Sequence, residues 1–351
     1  MSVTINPRAR ILITRADRIG DLVISTPVFK AVREAYPQAW IAALTFVENR
    51  EILQGNPFLN EVILYDKKGA EQGFFGQLKF ARQIAKKHFD IVIHLHATNR
   101  MHWMTYFAGI PIRIGWNRKA GNLLTHALPD IKREGKKHEA EYNFELLRFI
   151  NVNPPNNLEA FFPLNERSKS SLDQLLWRLE IPKDGKWIVL SPGASCPSKQ
   201  WPAARFAEVA NRIKAKYPDH IFAIIGSSHE SVKAREIQAR CQFLIHDLTG
   251  RLTLGMLGWV LKRSSLLISN DSGPVHIASA LGTPVVSIFG RKQGGLSPTR
   301  WKPLGEKVRI AWKDVGCSTC LAHNCEIQFL CLDVVTPQNV MVEVNELLVK
   351  A

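Results

Sequence analysis

The sequence predicts an α/β protein built from two parallel-sheet domains, and three observations carry that reading. Apolar strand-like runs alternate with helix-like amphipathic segments along the chain, the pattern of crossover units on a parallel sheet. At 351 residues the chain exceeds what one hydrophobic core organises, and its 46% hydrophobic content is enough to fill two. The alternation lapses once, near the middle, in the turn-forming run Asn151-Val152-Asn153-Pro154-Pro155-Asn156-Asn157.

In the first half, residues 10–14 read as a strand and residues 20–36 as an apolar-periodic helical segment. Strands follow at 40–45, 62–65 and 90–95, with amphipathic helices at 74–88 and 139–150, where apolar positions fall three and four apart. Beyond the break, residues 166–179 read as a helix. Strands are then expected at 188–191, 221–225, 243–245, 266–269 and 285–289, separated by helices such as 203–217 and 231–240. A last helix at 337–349 offers Val340, Val344, Leu347 and Leu348 to one face and is free to pack back across the first domain. The expected division is 1–165, 166–336 and the terminal segment 337–351. No low-complexity segment, heptad series or fixed-period repeat occurs.

The formal charge of +15 gives a long-range field that attracts anions: phosphorylated small molecules, nucleic acid or an acidic membrane face. Arg113, Arg118, Lys119, Lys132, Arg133, Lys136 and Lys137 crowd one region with few acids between them. They read as solvated loops or as an acceptor-binding or membrane-facing surface. Nucleic-acid binding lacks its helix-turn-helix, finger or aromatic-basic signature, so no nucleic-acid partner is expected. No apolar run approaches the ~18 residues of a membrane span, and Met1-Ser2-Val3-Thr4 leads into a strand without a signal-peptide core, so a cytoplasmic protein is expected. Four of the six cysteines form a C-x2-C-x4-C-x5-C series at Cys317, Cys320, Cys325 and Cys331. The first pair has zinc-ligand spacing, but the later gaps are short and a second C-x2-C is missing; in a cytosolic chain packed, reduced thiols are the expectation, and no metal or other cofactor is assigned.

Two strand-to-helix junctions carry the chemistry. Leu267-Ile268-Ser269-Asn270-Asp271-Ser272-Gly273-Pro274-Val275-His276 is an apolar strand that turns directly into a helix. Asp271 and Ser272 are capping types, and Pro274 suits the first helical position. The helix start presents unpaired amides and a positive dipole end, an anion site that His276 is close enough to contact. Trp187-Ile188-Val189-Leu190 leads likewise into Ser191-Pro192-Gly193-Ala194-Ser195-Cys196-Pro197-Ser198-Lys199-Gln200-Trp201-Pro202. There Gly193 lets backbone approach a ligand, Ser195 and Ser198 offer hydroxyls, and Lys199 can set a point charge on a phosphate. After the first strand, Thr14-Arg15-Ala16-Asp17-Arg18-Ile19-Gly20-Asp21 places a carboxylate at a helix start beside a glycine. G-x-G-x-x-G is absent from that loop, and G-x-x-x-x-G-K-[ST] from the whole chain. His94 and His96 alternate along the 90–95 strand toward one face at its binding edge, where they are acceptor contacts or core histidines.

Taken together, R-I-L-I-T-R-A-D-R-I-G-D-L-V-I-S-T-P, L-S-P-G-A-S-C-P-S-K-Q-W-P and I-S-N-D-S-G-P-V-H-I-A-S-A-L-G-T-P-V-V-S-I-F-G resemble glycosyltransferase family 9, the bacterial heptosyltransferases of lipopolysaccharide core synthesis, over nearly the whole chain. The resemblance implies a GT-B fold, two Rossmann-like domains facing a cleft, with acceptor in the N-terminal half and nucleotide sugar in the C-terminal half. It further implies an inverting, metal-independent transfer from ADP-heptose to the anionic inner core of lipopolysaccharide, with peripheral contact at the cytoplasmic face of the inner membrane. Asp21 is then the base, beside Gly20. Lys199, Ser195, the amides around Ser272, Gly273 and Pro274, and His276 would hold the leaving diphosphate. Asp271 would hold sugar hydroxyls and Glu230 the ribose diol. A transferase using another sugar or acceptor, or a non-catalytic nucleotide-sugar or anionic-lipid module, is the competing expectation.

Overall fold

In a computed structural model residues 3–348 are described. Met1 and Ser2, in the expected leaderless start, and Val349 to Ala351, at the end of the expected last helix and segment, lie outside them. The chain divides into two units, residues 1–163 and 164–351, two residues before the expected boundary.

The first unit holds β1 (Arg10–Thr14), β2 (Trp40–Phe46), β3 (Glu61–Tyr65), β4 (Ile91–His94), β5 (Ile112–Asn117) and β6 (His126–Pro129), in the order β3-β2-β1-β4-β5-β6. Every pairing is parallel. The central strands are mostly apolar because helices cover both faces of the sheet: β4 is buried at all four residues, and β1 from Ile11 on. One face carries Leu12, Ala42, Leu44 and Val92 against Phe80, Ala81 and Ile84 of the helix Gly73–Ala85 and Met101 and Met104 of the helix Asn99–Phe107. The expected 20–36 helix is two, Ile19–Ile24 and Thr26–Ala35, because the Ser25 hydroxyl donates to the Asp21 carbonyl and Pro27 opens a new helix start.

The second unit repeats the plan with β7 (Trp187–Ser191), β8 (Ile221–Ile224), β9 (Ile245–Asp247), β10 (Ser264–Asn270), β11 (Val285–Ile288) and β12 (Val308–Ala311), ordered β12-β11-β10-β7-β8-β9 and all parallel. β9 begins where the expected 243–245 strand ends, since Leu244 is exposed and only Ile245 to Asp247 find partners on β8. In the last helix, Pro337–Leu348, Val340, Met341, Val344 and Leu347 join the second unit's core with Ile188, Ile268, Val286 and Phe206, and burying that apolar stripe there satisfies the helix's amphipathic pattern.

In both units strand order reverses beside the first strand, between β1 and β4 and between β7 and β10. At such a switch point the flanking crossovers leave in opposite directions, and a crevice opens beyond the carboxyl ends of the two strands. The residues following β1, β4, β7 and β10 are therefore the ones the fold exposes to a ligand.

Candidate functional site

Beyond β1 and β4 lies a cluster of charge. Arg15, the residue after β1, has a side chain only 1% exposed, yet it touches three carboxylates: Asp21 Oδ1 and Glu139 Oε1 at 2.9 Å each and Asp17 Oδ2 at 3.5 Å. Burial works against its charge, but Glu139, Asp21 and Asp17 more than offset that and hold the guanidinium firmly protonated. Lys132 Nζ reaches the same Glu139 oxygen at 2.8 Å. Removing one partner from so buried a network strands the others, at a cost of roughly 3–5 kcal/mol.

Asp21 is in the first turn of Ile19–Ile24, next to the buried Gly20. Burial pushes its carboxyl up to about 6; Arg15 pulls down, while Asp17 and Glu139 push further up. His96 lies just past β4 with Nδ1 3.0 Å from Asp17 Oδ2. Burial lowers it to about 4, although Asp17 pulls the other way. Near neutral pH it is therefore uncharged, and Nδ1 must carry the proton, because the carboxylate can only accept. His94 instead takes its core reading: it is fully buried, 2.9 Å from the Thr14 hydroxyl and 3.1 Å from that of Thr105.

Beyond β7 and β10 the second unit assembles cations on one acid. Asp271 Oδ2 accepts from Lys199 Nζ at 2.7 Å and from Arg291 Nη2 at 3.1 Å, and Lys199 also reaches the Asp271 carbonyl at 3.2 Å. Lys199 thus stands beside the turn into Gly273–Ala280, whose N-cap, Ser272, has extended backbone and makes no side-chain cap bond. Pro274 is the second helical residue instead of the expected first, because Gly273 already has helical backbone. His276 is buried in the first turn. Asn270 fixes the geometry: fully buried, it donates to the Pro192 carbonyl at 2.8 Å and accepts from the Trp201 N–H at 3.1 Å, pinning both ends of the Lys199 loop to the end of β10.

Glu230 caps its own helix start. Its Oε2 accepts from Ser227 N–H at 2.6 Å and from the Ser227 hydroxyl at 3.1 Å, and the carboxylate fills the space a side chain at Gly193 would need. Gly193 therefore matters through its missing Cβ. Ser195 is exposed on the loop, whereas Ser198 is buried, its Oγ 3.2 Å from His323 Nδ1 and 3.4 Å from Cys196 Sγ.

His323 belongs to the cysteine segment. Cys317, Cys320, Cys325 and Cys331 line a cavity of about 360 Å³ together with Arg291 and Lys292. All four are free and half-buried, and among the described residues no group of three or more His, Cys, Asp or Glu side chains is placed to hold a metal ion. Burial raises the Cys331 thiol to about 11, helped by the other three. Burial also raises Cys320, but N–H groups of Ala322, Lys292 and Gln293 outweigh it and bring that thiol below its ordinary value. Much of the expected basic surface is neutralised in place, since Arg118, Lys132, Lys136 and Lys137 pair with Asp130, Glu139, Glu134 and Glu145.

Sequence reasoning named Asp21, Lys199, Asp271 and the Gly273 turn. It did not single out Arg15, Glu139, Asn270 and Arg291, which the structure places beside them. A charged residue directly continuing an apolar strand was the available signal for Arg15, and a basic pair following one for Arg291.

Comparison with known proteins gives the chain its family. Lipopolysaccharide heptosyltransferase 2 of Escherichia coli K12 is 25% identical over 97% of this chain and 99% of its own length. A glycosyl transferase family 9 structure from Veillonella parvula superposes with a TM-score of 0.86 over 100% of both chains at 22% identity. E. coli heptosyltransferase WaaC, solved with ADP-2-deoxy-2-fluoro heptose, superposes with a TM-score of 0.70 at 16% identity, over 96% of this chain and 99% of that one. The model of glycosyltransferase family 9 (heptosyltransferase) matches residues 77–330, so the chain belongs to that family and is a glycosyltransferase.

Proposed function

We propose that the protein moves a heptose from ADP-heptose to the inner core of lipopolysaccharide, with inversion and without a divalent ion, at the cytoplasmic face of the inner membrane. The observation that carries the donor half is the Lys199–Asp271–Arg291 cluster at the start of Gly273–Ala280. A nucleotide diphosphate gains negative charge as the glycosidic bond breaks, and an ammonium, a guanidinium and helix amides supply the opposing charge where it develops. Lys199, Ser195, His276 and the amides around Ser272, Gly273 and Pro274 take the diphosphate, Asp271 the sugar hydroxyls and Glu230 the ribose diol. The acceptor half rests on Asp21. As the acceptor oxygen attacks the anomeric carbon from the face opposite the diphosphate, Asp21 takes its proton. Its raised affinity for that proton makes it a better base than an aspartate at the ordinary value.

A panel of ADP-, UDP- and GDP-sugars in EDTA tests the reading through the melting temperature, since only a ligand of the folded state raises it. An ADP-sugar is expected to give the largest rise. Asp21→Asn is expected to keep that rise and lose transfer. No rise with any ADP-sugar would refute the donor assignment, and full turnover in the variant would remove the base.

A further inference from the structure

One layer of the first unit is covered by the helices Gly73–Ala85 and Asn99–Phe107, and it is apolar on both sides. Inward, Phe80, Ala81, Ile84, Met101 and Met104 fill the core. Outward, where a surface helix ordinarily carries charge, Asn99–Phe107 presents Trp103, Tyr106 and Phe107, spaced three and four apart and 43%, 46% and 54% exposed. Trp103 stacks on Phe107 with centroids 5.5 Å apart, so these rings form one patch. The neighbouring helix opens with Phe74 and Phe75, still more exposed, and continues outward with Lys79, Arg82 and Lys86. Residues 72–107 hold five Lys and Arg and a single acid, Asp90, whose carboxylate accepts from the Arg10 N–H; Lys87 is paired with Glu61, which leaves Lys79, Arg82 and Lys86 as the outward cations of the first helix and its cap.

We propose that this layer docks the protein onto an anionic lipid bilayer. Aromatic rings with an apolar body settle at the headgroup level of a membrane, and lysines and arginines beside them are drawn to anionic headgroups. A second copy of this chain is the poorer occupant, because it would bring the same positive surface against itself. The inference rests on the proposed lipid-borne acceptor only in expecting a membrane nearby, and it is tested apart from transfer.

Flotation of the full chain with phosphatidylcholine vesicles containing about 30 mol % phosphatidylglycerol, against vesicles of phosphatidylcholine alone, reads the docking directly. The wild type is expected to float with the anionic vesicles and to be released by high salt. Trp103→Ser with Phe107→Ser, and separately Lys79→Glu with Arg82→Glu, are each expected to lower the bound fraction about tenfold while the ADP-sugar melting shift stays at the wild-type value. The charge pair guards against a folding defect in the aromatic one. Equal flotation with both vesicle types, wild-type flotation by both variants, or capture by duplex DNA or self-association in place of vesicles would overturn the proposal. A missing ADP-sugar shift with flotation intact would instead strike the donor reading alone.

Discussion

Asp21 divides the pH range in two. With its carboxyl at about 6, a step that needs the ionised base is expected to lose about tenfold in kcat/KM per pH unit below that value and to level off above about 7. A pH-rate profile checks this, and a limb near 4 would assign the base elsewhere. Asp21→Asn is expected to lower kcat about 10²–10⁴-fold. Its effect on stability has the opposite sign. A raised carboxyl means the folded chain holds that proton more tightly than the unfolded one, so the Asp21 contribution falls as pH climbs from about 4 to about 6 and stays low above. The neutral amide removes that pH dependence but leaves Arg15 with one carboxylate fewer, so the gap in melting temperature between wild type and variant is expected to be widest near pH 4 and to narrow toward pH 7.5. At this scale the sequence showed what was local: Asp21 beside Gly20, and Asp271 beside Gly273. It hid what chain-distant partners do, for Glu139 meets Arg15 across 124 positions and Asn270 meets Pro192 across 78. Burial does most to raise the Asp21 carboxyl, and those partnerships set the charges around it and keep Lys199 at the turn.

Elements place the reactive groups through their ends. The order of strands turns a list of loops into two crevices, and Gly193 shows how little space one of them leaves. Its backbone is one that alanine adopts, so Gly193→Ala is expected to fold normally, but the added methyl must displace the Glu230 carboxylate. Titration calorimetry should show ADP binding weakened about tenfold, the loss of roughly 1.4 kcal/mol of contact; unchanged affinity would return Glu230 to a purely capping role. Buried strands with continuous apolar runs, such as β7 and β10, were legible, and so were helices with a clear apolar stripe. β5 and β12 were not, because partly exposed residues such as Arg113 and Arg309 interrupt their patterns. The destination of the last helix was also hidden, since an apolar stripe specifies burial without naming a partner.

For the whole molecule, a surplus of +15 favours the approach of anions before any contact forms. Raising ionic strength from about 20 to about 200 mM shortens the Debye length to under 10 Å, and the KM for a diphosphate donor is expected to rise several-fold while kcat holds. Steady-state kinetics across that range decide it, and a flat KM would confine the electrostatics to the Lys199 turn. Trp201, fully buried at the end of the Lys199 loop, donates its indole N–H to the Val335 carbonyl at 2.8 Å, 134 positions on. A ribosome therefore releases Lys199 long before the carbonyl that anchors its loop has been made. The loop gains that mooring only once residue 335 has emerged.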